Sequence, residues 1–384
     1  MTRRLRVLLS AGEASGDRLG AGLAHALRRL RPDVELLGMG GDEMAASGVR
    51  LVQHLSDVSV VGIVEVLRHL PAIRRAMARL VETVERERPD LVVPVDFPDF
   101  NLRLASRVRR AGVPVVYFVS PSVWAWRRGR VKTLRRTVRR MLVLYPFEAR
   151  FYDDAGIPVT FVGHPAAEAA TTAAGESREA SLSAAGLDPE HRAVALLPGS
   201  RSGEIARHFS GMLEAAAILR ARHPELGFVV PRAVTVPRAR LDDEVRRSGL
   251  DRVAILDGHY PAILGACAAG AVASGTATLE AALAGLPMVA VYRLHPLTYL
   301  LARLLVRVEH IALPNLVLGR AVVPELIQRD CSGPRIAEAL AAILDRPGEA
   351  DRMRRDLAEI PARLGGAGVF DRAARAVLGE AERA

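Results

Sequence analysis

The chain has 384 residues, half of them apolar and a quarter charged, which argues against disorder and exceeds one ordinary core. Its two cysteines, Cys267 and Cys331, form no CxxC pair, which argues against a disulfide framework or a cysteine-rich zinc site and points to a reducing compartment. The formal charge of +10 comes almost wholly from arginine and favours an acidic partner (nucleic acid, anionic membrane or phosphorylated substrate), while 4% aromatic content offers little for base stacking.

The N-terminus, MTRRLRVLLSAGEASGD, sets charge before an apolar run, as a signal peptide does. The run is short and leads into glycine and acidic residues, so it reads as a first strand. No stretch of about 18 apolar residues exists, so no transmembrane helix is expected. Short apolar runs predict strands at 6–12, 34–38, 91–96, 114–119, 142–145 and 159–163. A second series follows at 193–197, 227–231, 252–256, 270–274 and 288–292. Segments such as GAGLAHALRRLRP and PAIRRAMARLVETVERERP lie between them, apolar at i, i+3, i+4 spacing, as amphipathic helices are. Near-continuous apolar strands alternating with helices imply parallel sheets covered on both faces. The series pauses from Pro165 to Arg192, a stretch rich in Ala, Ser, Thr and Gly. From Ser332 onward only helical patterns remain. The predicted architecture is α/β, with two doubly wound domains at 1–168 and 193–345 and a linker at 169–192. A helical tail at 346–384 packs back on the first domain or on a partner subunit. Ligands of such domains collect at the carboxyl ends of the strands, here in a cleft between the domains.

SAGEASGD, Ser10 to Asp17, follows the first strand and precedes a helix, but it is neither GxGxxG nor a lysine-bearing P-loop. Gly12 and Gly16 permit close approach of a ligand. Glu13 and Asp17 suit sugar hydroxyls better than phosphate, although an unliganded strand–helix turn reads the same way. In VDFPDFN, Asp96 ends a strand, where a carboxylate can take a proton from a hydroxyl nucleophile. Asp99 reads as the N-cap of the helix that follows. SPSVWAWRRGRVKTLRRTVRRM, Ser120 to Met141, holds both tryptophans, Trp124 and Trp126, and a basic run. On a helix Val131, Leu134, Val138 and Met141 would share one face. That pattern suits an anionic membrane or a phosphorylated lipid, and equally a buried stripe with a solvated basic face.

LLPGSRSGEI, Leu196 to Ile205, reads as an anion cradle at a helix start: Gly199 lets amides turn, Ser200 can cap, and Arg201 forks onto phosphate. An ordinary connection with a surface arginine reads equally well. In SGTATLE, Ser274, Gly275 and Thr276 open a helix and suit a diphosphate. Glu280, about one turn deeper, suits ribose hydroxyls or is a surface acid. HPLTYLLARLLVRVEHIALPN is either a core or a membrane-facing helix, and Asn315, placed after a short strand, could read a uracil edge. With SDVSVVGIVEVLRHL (Ser56 to Leu70), these apolar segments could line an acyl-chain site or form plain core. The histidines make no HxH, HExxH or Cys/His cluster, so no metal is expected. His164, in VGHP, lies within reach of the cleft.

Taken together, SAGEASGD, GIVEVL, DFPDFN, SPSVWAWR, PFE, FVGHP, LLPGSRSGE, SGTATLE, ALPN and VPELIQ occur in an order that resembles the lipid-A-disaccharide synthase family, from about residue 6 to 330. The resemblance implies a GT-B fold of two Rossmann-like domains and an inverting glycosyltransferase. The implied reaction joins UDP-2,3-diacylglucosamine to 2,3-diacylglucosamine 1-phosphate, giving the β-1,6 disaccharide 1-phosphate and UDP, without cofactor or metal. By motif, Asp96 corresponds to the essential carboxylate, Arg201 faces the diphosphate, Glu280 binds ribose and Asn315 contacts the nucleotide. Gly199, Ser200, Ser274, Gly275 and Thr276 complete the donor side. Gly12, Glu13, Ser15, Gly16, Ser120, Trp124, Trp126 and Arg127 fall on the acceptor and lipid side. The resemblance further implies a cytoplasmic protein bound peripherally to the anionic inner membrane, no nucleic acid partner, and a homodimer through swapped C-terminal segments. Phe97 departs from the family pattern, which has a smaller residue there. Two other readings stay open: a UDP-sugar epimerase on the same fold, and a non-catalytic lipid-binding protein.

Overall fold

The computed structural model describes residues 4–58, 63–121, 123–124, 129–172, 177–257, 261–296, 298–300 and 309–383. Two compact units emerge, Met1–Pro165 with Ala367–Ala384, and Ala166–Gly366.

The first unit is built on seven strands: β1 (Arg6–Ala11), β2 (Glu35–Gly40), β3 (Arg50–His54), β4 (Leu91–Val95), β5 (Val116–Phe118), β6 (Arg140–Val143) and β7 (Val159–Phe161). They pair in parallel in the order β3-β2-β1-β4-β5-β6-β7. Helices α1 (Ala14–Leu30), α2 (Asp42–Ala46), α3 (Ile63–Glu87), α4 (Pro98–Arg110), α5 (Arg130–Thr137) and α6 (Pro146–Asp154) accompany the strands. Side chains alternate across the sheet with period two. Val7, Leu9, Val93 and Val95 join one core with Leu23 and Leu27 of α1, while Leu8 and Val92 join the other with Leu80 of α3 and Leu104 of α4. Both cores are needed because both faces of a parallel sheet are covered.

The second unit repeats the scheme with β8 (Ala193–Leu197), β9 (Gly227–Arg232), β10 (Val253–Asp257), β11 (Ala269–Ala273), β12 (Met288–Tyr292) and β13 (Glu325–Ile327), all parallel, in the order β10-β9-β8-β11-β12-β13. In each sheet the order reverses beside the first strand, between β1 and β4 and between β8 and β11. Doubly wound sheets open a ligand crevice at such switch points, outside the carboxyl ends of the strands.

Several expectations need correcting. Strands β3 and β13 were absent from the predicted set. ALPN leads not from a strand but into a short helix, Leu313–Leu318, with Pro314 in its first turn. The basic helix after Trp124 stops at Thr137, so Val138 and Met141 are buried on the way into β6 rather than on a helical stripe. The pause in the strand series holds, and the connection is partly helical, with α7 (Pro165–Thr172) and α8 (Arg178–Ala184), the latter capped by Ser177 Oγ accepting from the Ala180 amide at 3.1 Å. Helices Pro347–Leu357 and Ile360–Arg363 belong to the second unit. Helix Val369–Ala381 returns to the first unit, where Val369, Ala373, Ala374 and Val377 are buried in the α1-side core. Arg29 of α1 pairs there with Asp371, and Arg140 Nε donates to Glu380 Oε1 at 2.7 Å.

Candidate active site

The first unit's switch point brings SAGEASGD and DFPDFN together, because β1 and β4 are neighbours and both loops leave their carboxyl ends. Asp96 and Phe97 each adopt a left-handed backbone, φ +48°, between β4 and α4. A bulky residue pays about 1–3 kcal/mol for that conformation, so the surroundings must hold it. Three bonds hold Asp96: its amide donates to the Phe118 carbonyl at 3.0 Å, and its carbonyl accepts from Tyr117 OH and Asn101 Nδ2, both at 2.8 Å. Asn101, fully buried, also donates to the Ser10 carbonyl at 3.0 Å and accepts from Ser10 Oγ at 2.8 Å. The strained turn is thereby locked to β1.

This lock leaves the half-buried Asp96 carboxyl at the crevice. Burial, with the Glu13 carboxylate nearby, pushes it up to about 6, against the pull of the Phe97 amide. Glu13 itself is exposed as the N-cap of α1, and Ser15, two residues on, is exposed in the first turn. An acid near neutrality is suited to accept a proton. Asn101→Asp keeps the shape but replaces the amide donors with a carboxylate. We expect it to destabilise the first unit by about 2–5 kcal/mol, read as a lower urea midpoint of that unit's transition.

Three neighbouring readings change. Gly12 makes room for protein rather than ligand: a Cβ there would lie 2.2 Å from Phe97 Cδ1, and the Phe97 ring also stacks on Phe100 at 5.6 Å. Gly16 is buried in the first turn of α1. Asp17, read as a sugar contact, is buried and accepts the amides of Gly41, Glu43 and Met44, so it caps α2. Asp99 is not the N-cap of α4. Phe97 occupies that position, and the Asp99 carboxylate pairs with Arg130 of α5.

Beyond β5, β6 and β7 stands an aromatic row. Trp124 meets Phe147 edge-on at 4.8 Å, Phe147 stacks on Tyr145 at 5.2 Å, and Tyr145 lies 5.1 Å from His164. Burial holds the His164 imidazole down to about 4, so it is neutral at pH 7. Ser120 is buried with its hydroxyl on Tyr152 OH at 2.8 Å. Beneath it, Glu148 accepts the Tyr145 amide at 3.2 Å, and burial raises its carboxyl to about 8. Ser120 was read on the acceptor and lipid side, whereas Tyr152 and the Glu148 of PFE were not singled out as its buried polar neighbours. The local signal for Glu148 was its place three residues past Tyr145, the N-cap of a Pro-led helix. Trp126 and Arg127 lie outside the described residues, as do residues 59–62 of the apolar segment and Arg303 and Arg307.

The second unit's switch point joins LLPGSR to SGTATLE, since β8 pairs with β11. Gly199 turns with φ +115°, and a Cβ there would meet Glu204 at 2.5–2.7 Å. The cap of helix α9 (Ser202–Arg222) is Arg201, not Ser200. Glu204 Oε2 accepts the amides of Ser200 and Arg201 at 2.9 and 3.2 Å, and Glu204 Oε1 lies 3.4 Å from Arg201 Nη1. The expected anion cradle thus holds an internal carboxylate, and the exposed Arg201 guanidinium stands over it. Buried His208, another residue missed in the sequence, bridges Pro198 O at 3.1 Å and the Arg293 amide at 3.0 Å. Nε2 accepts from that amide, so Nδ1 carries the proton, and burial keeps the ring neutral by lowering its pKa.

Gly275 precedes α12 (Thr276–Leu283), numbered after α10 (Arg238–Ser248) and α11 (Pro261–Ala266). Thr276 is exposed at its first position, and Ser274 Oγ donates to the Ile311 carbonyl at 3.0 Å. Glu280 is half-buried one turn along. Asn315 is fully buried. Its Nδ2 donates to Val323 O and Glu325 Oε1 at 2.9 and 2.8 Å, and its Oδ1 accepts the Val322 and Val323 amides at 2.8 and 2.9 Å. Those bonds saturate the amide, so the expected base contact is corrected: Asn315 fastens the approach to β13. Glu325, overlooked in the sequence, shares that task by accepting the Ile311 and Ala312 amides at 3.0–3.1 Å.

A family model described as lipid-A-disaccharide synthetase matches residues 7–359. The chain is 46% identical to the lipid-A-disaccharide synthase of Geobacter sulfurreducens over 97% of this chain and 96% of that protein. It is 44% identical to the one from Myxococcus xanthus over 98% of each. Among solved structures, a putative UDP-N-acetylglucosamine 2-epimerase from Listeria monocytogenes superposes with a TM-score of 0.68 at 14% identity, covering 100% of this chain and 98% of that one. The calicheamicin glycosyltransferase does so with 0.57 at 18%, covering 100% and 99%. These two share the fold, which is the GT-B arrangement of paired α/β domains, while the close relatives decide the activity. The chain belongs to the lipid-A-disaccharide synthase family of glycosyltransferases.

Proposed function

We propose that this glycosyltransferase joins UDP-2,3-diacylglucosamine to 2,3-diacylglucosamine 1-phosphate in one inverting displacement, with Asp96 as general base. The acceptor's 6-hydroxyl oxygen attacks the anomeric carbon, its proton passes to Asp96, and the carbon–oxygen bond to UDP breaks with the electron pair leaving on the diphosphate. The observation that carries this reading is the Asp96 carboxyl, presented at the β1–β4 switch point and raised to about 6. Arg201 and amides at the start of α9 meet the leaving charge in place of Glu204, as preorganised donors do. Ser274, Gly275 and Thr276 add to the diphosphate side, and Glu280 takes the ribose.

Among the described residues no helix is long and apolar enough to cross a membrane. In our reading the basic and apolar surface of the first unit meets the anionic inner membrane from the cytoplasm. Helix Val369–Ala381 exchanges between subunits in a dimer, remaking on a partner the contacts it makes here with α1. A UDP-sugar epimerase, which the shared fold also accommodates, is the alternative outcome of the test.

The test is turnover of the purified chain with both acylated sugars, read by mass spectrometry. Disaccharide phosphate with equimolar UDP supports the proposal. Conversion of a UDP-sugar to its isomer without acceptor would favour the epimerase. UDP binding without either product would overturn both enzymatic assignments of these substrates.

A further inference from the structure

Helix α4 carries Arg103, Arg107 and Arg110 at i, i+4, i+7, on one face. That face forms a groove of about 410 Å³ with α5, which contributes Arg130 and Thr133. Among the lining residues Asp99 is the single carboxylate, and it pairs with Arg130. Arg103, Arg107 and Arg110 have no carboxylate partner among the described residues. Like charges at i, i+4 weaken a helix by a few tenths of a kcal/mol. The helix C-terminus offsets this for Arg107 and Arg110 but not for Arg103. An anion lying between α4 and α5 would relieve the repulsion and engage several forked donors at once.

A second groove, of about 530 Å³, shares Arg103, Arg107 and Asp99 with the first and is lined further by Ile73, Arg74 and Met77 of α3 and by Phe97 and Phe100. Arg103 and Arg107 therefore stand between a groove walled by the apolar side chains of α3, Phe97 and Phe100 and a groove walled by further arginines of α4 and α5, and the residues that directly follow Asp96 in the chain, Phe97 and Pro98, line them. An amphiphile with an acyl chain beside a phosphate matches that pair of grooves.

We propose that the α4–α5 groove is the site for the phosphomonoester of the acceptor, held by Arg103, Arg107 and Arg130. This rests on the glycosyl-transfer reading above and adds to it the residues that select a phosphorylated acceptor. A bilayer phospholipid headgroup presents similar chemistry, and the experiment separates the two.

The variant is Arg103→Gln with Arg107→Gln in the full chain; both side chains are exposed, and circular dichroism checks folding. The readout is the ratio of kcat/KM for 2,3-diacylglucosamine 1-phosphate to that for dephosphorylated 2,3-diacylglucosamine. A second readout is co-sedimentation with phosphatidylglycerol or phosphatidylcholine vesicles. The ratio is expected to fall about 10- to 100-fold in the variant, mostly through KM of the phosphorylated acceptor. An unchanged ratio would overturn the proposal. An unchanged ratio with loss of phosphatidylglycerol binding alone would overturn it in favour of a bilayer headgroup. If the wild type makes no disaccharide from either acceptor, the transfer reading has failed rather than the phosphate site; sedimentation with vesicles carrying the phosphorylated or the dephosphorylated sugar lipid then decides the site, and equal retention of both by the wild type would overturn it.

Discussion

Asp96→Asn is expected to lower turnover about 100- to 10,000-fold, the range for loss of a general base, and to raise the melting temperature at pH 8. Both effects follow from one carboxyl. Its folded pKa of about 6 lies above the ordinary 3.8. The folded state therefore binds more protons than the unfolded one between those values. The associated stability is fully present below about 3.8 and is lost as pH rises through about 6. Above that, the ionised carboxylate costs the fold on the order of 1–3 kcal/mol, discounted because the group is half-buried. Asparagine keeps the bond from the Phe97 amide without the charge. The stabilisation should appear at pH 8 and fade towards pH 4 in thermal melts. Wild-type kcat/KM should fall as pH drops through about 6, since the base of the free enzyme must be ionised. A variant of equal or lower melting temperature at pH 8 would refute the electrostatic account. Undiminished turnover would move the base elsewhere.

Arg201→Ala should lower kcat about 100- to 1,000-fold and weaken inhibition by UDP, while KM for the acceptor stays within about twofold. Arg201 is the cap of α9 and stands over the amides now occupied by Glu204. In the proposed reaction the diphosphate gains charge as the glycosidic carbon leaves it. A forked, always-charged donor stabilises that change more than a lysine ammonium does. Arg201→Lys should accordingly recover only part of the loss. Initial rates against each substrate separate the cases. A rise in acceptor KM alone would place Arg201 on the other substrate.

Much of the fold was legible because parallel strands covered on both faces must be apolar along their whole length. LVVPV and AVALL announce themselves this way. The edge strand RLVQH does not, because only two of its five residues, Leu51 and Val52, are apolar, and ELI is too short to register. Motif position was legible for the same reason: a glycine-rich or acidic stretch directly after a buried run lies at the carboxyl end of a strand. What the motif residues do there was less legible. Asp17 and Asn315 looked like ligand contacts, but Asp17 is consumed by backbone amides 24–27 positions away and Asn315 by the Val322–Val323 backbone together with the Glu325 carboxylate, which no local pattern reveals. Asn101 is 91 positions from Ser10, and only the β1–β4 pairing makes them neighbours. Glu204 was within view, three residues past the cap, in the spacing of a capping box.

Because Val369–Ala381 completes the first unit, that unit is discontinuous in the order of synthesis. Its first 165 residues leave the ribosome before the 201 residues from Ala166 to Gly366, and its last helix after them. At ordinary translation speeds the outer face of α1 waits about 10–40 s for its cover. During that interval the face of α1 that carries Gly22, against which the Phe370 ring packs, and Ala26 presents an apolar surface to other nascent chains. A ribosome-associated chaperone that shields this face should raise the yield of folded protein, and a chain stopped at residue 366 should aggregate through it.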